Sequence, residues 1–253
     1  MKQPVVIQKR SVVDRHLPVT SEMKLSVIIP VYNEASTIEE VLTKVATVDL
    51  SDMTKEIIVV DDGSTDGSLE LVQRSRLAQA DLVKVYASPI NLGKGAAVRC
   101  GIKFATGDII LIQDADLELD PGEYEKLLAP ILAGHCQVVY GSRFRARSNR
   151  ISLKTLMANK FLTFLTNILF GSRLTDMETA YKVFKAEVIH NIRLKRVSFD
   201  FEPEITAKFL KAGHSIYEVP ISYNPRTTYE GKKINWRDGV EAIWTLLICR
   251  LFD

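Results

Sequence analysis

GDIILIQDADLELDP, residues 107–121, opens on the apolar run Ile109–Ile112 and ends among Asp114, Asp116, Glu118 and Asp120, with Pro121 behind them. An uninterrupted apolar run suits a strand covered on both faces, as in a parallel sheet flanked by helices. The reading is therefore a central strand at Ile109–Gln113, with Asp114 and Asp116 at its mouth. Similar runs at Leu25–Pro30, Glu56–Val60, Val83–Ala87 and Val138–Gly141 predict four more strands. Helices are predicted between them at Ser36–Val45, Thr65–Arg76, Gly95–Ala105 and Gly122–Ala133. Ser64 or Thr65 would cap the second, and Pro121 suits the first turn of the last. The alternation describes an α/β fold with a mostly parallel central sheet. In such sheets ligands bind beyond the carboxyl ends of the strands. Asn33-Glu34, Asp61-Asp62-Gly63-Ser64 and Asp114-Ala115-Asp116 all fall there.

The second half is less regular. An amphipathic helix is expected at Ile151–Phe170, then a polar turn at Gly171–Glu178 and a strand at Tyr181–Phe184. A helix at Glu202–Lys211, a strand at Ile216–Val219 and a helical tail at Asp238–Phe252 follow. Composition does not shift along the chain, so residues 24–253 are read as one domain and residues 1–23 as a flexible arm. The start, MKQPVVIQKRSVVDRHLPVTSE, has no long apolar core and is not read as a secretory signal. A net charge of +2 over 253 residues, with no basic run, gives no sign of a nucleic-acid partner. The three cysteines, Cys100, Cys136 and Cys249, form no CxxC pair, which suits a reducing compartment rather than a disulfide framework or a zinc site. No stretch of 18 uncharged apolar residues is present, so no membrane span is expected.

Asp-x-Asp alone is a weak pattern. At the end of a buried strand it becomes a site for a hard dication, which takes one or two carboxylates plus phosphate oxygens and water. The competing reading is an Asp-rich turn capping the next helix. Asp61 and Asp62 either accept hydrogen bonds from a nucleoside or merely shape a turn; Asp66 belongs with the following helix N-terminus. In Asn91-Leu92-Gly93-Lys94-Gly95 a lysine and backbone N–H groups can meet an anion, although the spacing is not that of a Walker loop. Arg143 follows a strand end, where a guanidinium fork suits phosphate. Arg145, Arg147 and Arg150 close behind it also fit a solvated basic loop.

Together, VIIPVYNEASTIEEVL (27–42), EIIVVDDGSTDGS (56–68), NLGKGAAVRCG (91–101), GDIILIQDADLELDP and VVYGSRF (138–144) resemble family-2 glycosyltransferases of the GT-A fold. LTDMETAYKVF (174–184), FDFEPEITAKF (199–209) and YEVPISYNPRTTYEGKKINWRDG (217–239) narrow the resemblance to dolichyl- or polyprenyl-phosphate hexose synthases. The resemblance covers residues 24–240. It implies inverting transfer of mannose or glucose from GDP-mannose or UDP-glucose to a polyprenyl or dolichyl phosphate. Pro30, Tyr32, Glu34, Asp61 and Asp62 would line the nucleotide pocket. Asp114 and Asp116 would hold Mg²⁺ or Mn²⁺ on the donor diphosphate, with Glu118, where many relatives carry Gln, as a third ligand. Lys94, Arg226 and Lys232 would serve the donor, and Arg143 and Arg147 the lipid phosphate. Asp116 and Arg143 would be the catalytic pair. A phosphate nucleophile is already ionised, so no strong general base is required.

The sequence ends at Asp253, short of the transmembrane helices many such enzymes carry, and lacks the Q-x-x-R-W signature of processive polysaccharide synthases. It is expected to work peripherally at the cytoplasmic face of a membrane. The apolar stripe Leu153, Leu156, Met157, Phe161, Phe164, Leu165, Ile168 and Leu169 is the expected contact, with Lys154, Asn159, Lys160, Thr163 and Asn167 opposite it. The segment AIWTLLIC (242–249) would be a second contact, or a docking face for a membrane-anchoring subunit. The rival readings are a soluble family-2 transferase acting on a glycan or protein acceptor, and a non-catalytic subunit that kept the fold.

Overall fold

A computed structural model describes residues 23–51, 53–80, 82–146, 151–226 and 236–252. Residues 1–22 of the arm expected at 1–23, together with Arg147, Arg150 and Lys232, lie outside the described residues. Met23, the last residue assigned to that arm, already pairs with Met53 in the sheet.

Seven strands form one sheet: β1 Met23–Val31, β2 Met53–Asp62, β3 Val83–Ser88, β4 Ile109–Ile112, β5 Val138–Ser142, β6 Lys182–Lys185 and β7 Ile216–Pro220. Their order is β3-β2-β1-β4-β6-β5-β7. β1 to β4 pair in parallel, as do β5 and β7. β6 alone runs antiparallel, between β4 and β5. The helices are α1 Ile38–Thr47, α2 Ser68–Arg74, α3 Arg76–Gln79, α4 Lys94–Phe104, α5 Tyr124–Leu132, α6 Leu153–Phe170, α7 Ala186–His190, α8 Phe201–Lys211 and α9 Trp236–Leu251.

Two core layers explain the continuous apolar strands. Leu25, Val27 and Ile29 of β1 point into a layer with Val41 and Leu42 of α1 and Leu127 and Leu128 of α5. Ile28, Ile110 and Ile112 point the other way, onto Val98 of α4 and Phe201, Ile205 and Phe209 of α8. Because side chains alternate across a strand, a sheet sandwiched between helices needs apolar residues at every position.

The helix expected at Thr65–Arg76 is shorter and broken. α2 begins after Gly67, at φ 93, and ends before Ser75, whose Oγ accepts the amide of Ala78 to start α3. Pro121 does open the turn before α5, with Asp120 accepting the amide of Gly122. α7 follows β6 almost without a loop and is too short to announce itself by periodicity.

α6 is turned relative to the sequence reading. Thr163 and Thr166 are buried, and Asn167 ties the loop behind the helix through Ser172 and Leu174. Thr163 accepts the amide of Met177, and Thr166 donates to the Leu162 carbonyl. Leu165 and Leu169 pack toward Leu246 and Cys249 of α9. Leu153, Met157, Phe161, Phe164 and Ile168 stay more than half exposed. The inward polar groups are tolerated because each buried hydroxyl finds a partner.

Candidate active site

The loops at the carboxyl ends of β1 and β2 are bound to each other. Asn33, at φ 51, donates its amide to Ser64 Oγ at 3.0 Å, and its Oδ1 accepts the amide of Thr65 at 2.8 Å. Glu34 donates its amide to Ser68 Oγ at 2.8 Å. Asp66 accepts from the amides of Ala35 and Ser68. Ser64 and Thr65 thus serve the neighbouring loop rather than capping α2, and Asp66 takes the helix N-terminus as expected.

Asp61 and Asp62 are both buried but differ in what they bind. Asp62 accepts the amides of Leu92 and Gly93 at 2.9 and 2.7 Å, so it holds the loop before α4. Burial raises its carboxyl pKa despite those donors. Gly63 is needed between them and the loop: at φ +74, a Cβ there would lie 2.5 Å from the Ile90 carbonyl carbon. Asp61 accepts only the amide of Ser64 on Oδ2, at 3.0 Å; its Oδ1 is buried without a hydrogen-bond partner among the described residues. Pro30 and Tyr32, half-buried at the end of β1, flank this corner.

At the mouth of β4, Leu117 adopts φ 61, turning the acidic stretch back on itself. Asp114 pairs with Lys94 at 2.7 Å, and Lys94 also reaches Glu202 on α8 at 3.1 Å. Burial alone would lower the lysine pKa, but Asp114 and Glu202 more than reverse it. Asp116 pairs with Arg226 at 3.1 Å, while Arg226 also grips Glu34 at 2.8 Å. Burial, then Asp114 and Glu118, push the Asp116 carboxyl up to about 7. Glu118 spends its oxygens on Tyr223 OH at 2.9 Å and the Arg226 amide at 2.8 Å, anchoring the loop after β7.

Among the described residues, no three carboxylate, imidazole or thiolate side chains converge to hold a metal ion. The local chemistry still fits one. The Asp116 pKa is raised first by burial and then by the charges of Asp114 and Glu118, and Asp114 and Asp116 each already sit against a cation. A dication arriving with a diphosphate would offset those charges and take its remaining oxygen ligands from phosphate and water.

Arg143 follows β5 and is held by a residue that the sequence reading passed over. Its Nε and one terminal nitrogen donate to the two oxygens of Asp176, both at 2.8 Å, and its amide donates to the same carboxylate at 2.9 Å. Asp176 is fully buried. Burial alone would lower the arginine pKa, and Asp176 raises it above its ordinary value. Arg143 also lies over the Tyr223 ring, 5.3 Å from its centroid. Tyr223 therefore joins Arg143 on one side to Glu118 on the other. Arg145 instead donates to the Glu218 carbonyl at 2.6 Å.

Glu34, Asp61, Asp62, Lys94, Asp114, Asp116, Glu118, Arg143 and Arg226 thus form one set of side chains at the carboxyl edge of the sheet. Glu34, Asp116, Glu118 and Arg143 are joined through Arg226 and Tyr223, Lys94 pairs with Asp114, and Asp61 and Asp62 each take backbone amides. Asp176, Glu202 and Tyr223 complete it and were missed. Asp176 and Glu202 lay in stretches read only as a turn and a helix start, although both sit within the quoted motifs.

The fold is shared with glucosyl-3-phosphoglycerate synthase from Mycobacterium tuberculosis. Its complex with Mn²⁺, UDP and glucosyl-3-phosphoglycerate aligns at TM-score 0.69 and 20% identity, over 90% of this chain and 80% of that one. A complex with Mg²⁺ and UDP aligns at TM-score 0.67 and 22% identity, over 90% and 79%. The architecture is the GT-A fold. Glycosyltransferase AglD of Haloferax volcanii is 28% identical over 212 residues, covering 81% of this chain and 34% of AglD. An undecaprenyl-phosphate 4-deoxy-4-formamido-L-arabinose transferase of Aeromonas hydrophila is 29% identical over 203 residues, covering 77% of this chain and 61% of that protein. The corresponding Salmonella choleraesuis transferase is 27% identical over 229 residues, covering 89% and 67%. The chain thus spans between a third and two thirds of the length of these relatives. Residues 26–193 match the description of Glycosyl transferase family 2, and with the strand-end carboxylates in place the chain belongs to that family.

Proposed function

We propose that this chain transfers a hexose from a nucleotide sugar to a polyprenyl phosphate, with inversion, at a membrane surface. The observation that carries the reading is the bridge through Tyr223. Tyr223 lies against Arg143 and donates to Glu118, next to the acids Asp114 and Asp116, which supports a role for that guanidinium, braced by Asp176, beside the donor diphosphate. Asp61 Oδ1, with an unused lone pair, would accept a hydrogen bond from the nucleoside, with Pro30, Tyr32 and Glu34 around it. Lys94 and Arg226 would leave their carboxylates for the donor phosphates, and Lys232 would add to them. Arg143, with Arg147, would bind and orient the acceptor phosphate. Mg²⁺ or Mn²⁺, held by Asp114 and Asp116, would supply Lewis-acid neutralisation of the departing diphosphate. Glu118 would steady the loop that carries Arg226 rather than serve as a first-choice ligand. Two of the named relatives are undecaprenyl-phosphate 4-deoxy-4-formamido-L-arabinose transferases, which supports the acceptor class.

The membrane part of the reading rests on α6 and α9. Among the described residues, no helix is long and apolar enough to cross a membrane. Yet Leu153, Met157, Phe161, Phe164 and Ile168 form an outward stripe on α6, and Val240, Trp244 and Leu251 form one on the adjoining α9. Lys154 and Lys160 are exposed on α6, which carries no acidic residue. Apolar side chains flanked by cations suit an anionic lipid surface or a membrane-embedded partner subunit. A soluble glycan or protein acceptor gives no reason for this face.

The test incubates purified protein with radiolabelled GDP-mannose or UDP-glucose and a polyprenyl phosphate in the presence of Mg²⁺ or Mn²⁺. Lipid-soluble radioactivity that disappears in EDTA is expected. Transfer only to water-soluble acceptors would favour the rival. Liposome co-sedimentation of the parent against Phe161→Glu/Phe164→Glu tests the surface. Both positions are exposed, so the variant should fold and lose binding.

A further inference from the structure

A sugar in transit lies between the diphosphate it leaves and the phosphate it joins, so side chains between those two binding groups can read its hydroxyls. Glu178 lies on the segment between Asp176 and Lys182, which joins the residues at Arg143 to those at Lys94 and Asp114. It follows the Asp176 that holds Arg143, and it precedes Thr179, whose hydroxyl donates to the Gly141 carbonyl at 2.6 Å. The carbonyls of Met177 and Thr179, on either side of it, both accept from Lys182 Nζ. Lys182 in turn pairs with Glu202, which meets Lys94 and through it Asp114. The backbone around Glu178 is therefore pinned from the acceptor side and the donor side at once. Met177 and Thr179 are wholly buried, while Glu178 keeps partial exposure.

The neighbouring charges are already matched. Arg143, Lys182 and Lys94 are balanced by Asp176, Glu202 and Asp114. Glu178 is a further acid in their midst, and its Oε1 is buried without a hydrogen-bond partner among the described residues. Burial, and after it the charge of Glu202, push its carboxyl up to about 7. A carboxyl with spare capacity can both donate to and accept from a hydroxyl. Leaving such a group unsatisfied costs stability, so its persistence in a pinned loop points to a bound partner.

We infer that Glu178 contacts a hydroxyl of the transferred hexose and sets which hexose the site accepts. The inference rests on the donor and acceptor reading above.

The test is calorimetric binding to the full chain, in Mn²⁺, of UDP against UDP-glucose and UDP-galactose, and of GDP against GDP-mannose. The parent and the Glu178→Gln and Glu178→Ala variants are compared. Affinity for the free nucleoside diphosphate should stay within about twofold in all three. Affinity for the accepted nucleotide hexose should fall about tenfold in Glu178→Ala, with a narrowed difference between epimers in both variants, because a site built to bond a hydroxyl discriminates through that bond. Glu178→Gln keeps the side-chain volume and serves if the alanine variant does not fold. Equal losses for diphosphate and nucleotide hexose, or no loss for either, would overturn the inference. A parent that binds a diphosphate no more weakly than its hexose conjugate would overturn it while leaving the donor reading in place. A parent that binds neither would overturn both.

Discussion

Two groups of carboxylates sit at opposite ends of the same sheet and live under opposite conditions. Glu56, near the amino end of β2, accepts from Ser26 Oγ at 2.6 Å, from the amide and hydroxyl of Thr106, and pairs with Lys24 and Lys84. Burial alone would raise its pKa, but those donors outweigh it and leave the carboxyl at about 2. Asp61, Asp114 and Asp116, at the carboxyl end, have fewer donors than oxygens or stand beside other acids. One of them is held near neutrality. The amino-end carboxylate is satisfied by the protein. Those at the carboxyl end are left partly unsatisfied, which fits the ligand-binding role proposed for them.

The largest test of that contrast is Asp116→Asn. Loss of one electrostatic clamp should lower transfer by about 10²–10³-fold. Thermal stability should hold or rise, because a repelled carboxylate has been removed. A large fall in the melting temperature would place Asp116 with Glu56 as a structural group. Asp176→Asn should cost both properties. Arg143 would keep its charge in a buried place without its bidentate partner, so kcat/KM for lipid phosphate should drop about tenfold or more. Stability should fall by about 3 kcal/mol, and urea denaturation with parallel kinetics measures both.

Glu56→Ala should do the reverse of Asp116→Asn. It strands the donors of Ser26 and Thr106 and costs about 2–3 kcal/mol of stability, while kcat changes little. The same residue sets a pH dependence. Its pKa lies below the ordinary 4.5, so its contribution is fully present above that value and is lost as pH falls toward about 2. Denaturation midpoints measured between those limits should fall more steeply for the parent than for Glu56→Gln. The smallest effect belongs to Arg145→Ala. Among the described residues Arg145 donates only to a carbonyl of β7, so lipid-phosphate kinetics should stay within about twofold, by the weakness expected of an exposed contact. A loss as large as that expected of Asp176→Asn would move it into the phosphate site.

The sequence by itself determined the alternation of strands and helices and which acids stand at the ends of β1, β2 and β4. Continuous runs such as IILI, short and set between helical stretches, read as strands buried on both faces, and in a parallel sheet the acids after them emerge at one edge. Motif order identified the family, because acids stand at the ends of β1, β2 and β4 within segments that occur in one order. What it left open were the partners of those acids. Arg226 reaches Glu34 and Asp116 from 192 and 110 residues away, and Arg143 finds Asp176 only because β6 runs back between β4 and β5. The same holds for α6, where the apolar pattern fits either face. Only packing against α8 and α9 decided that its threonines turn inward and its phenylalanines outward. Local pattern reports the burial a segment needs, whereas pairing between distant side chains depends on strand order and on which helices lie alongside, and those are settled only when the whole chain packs.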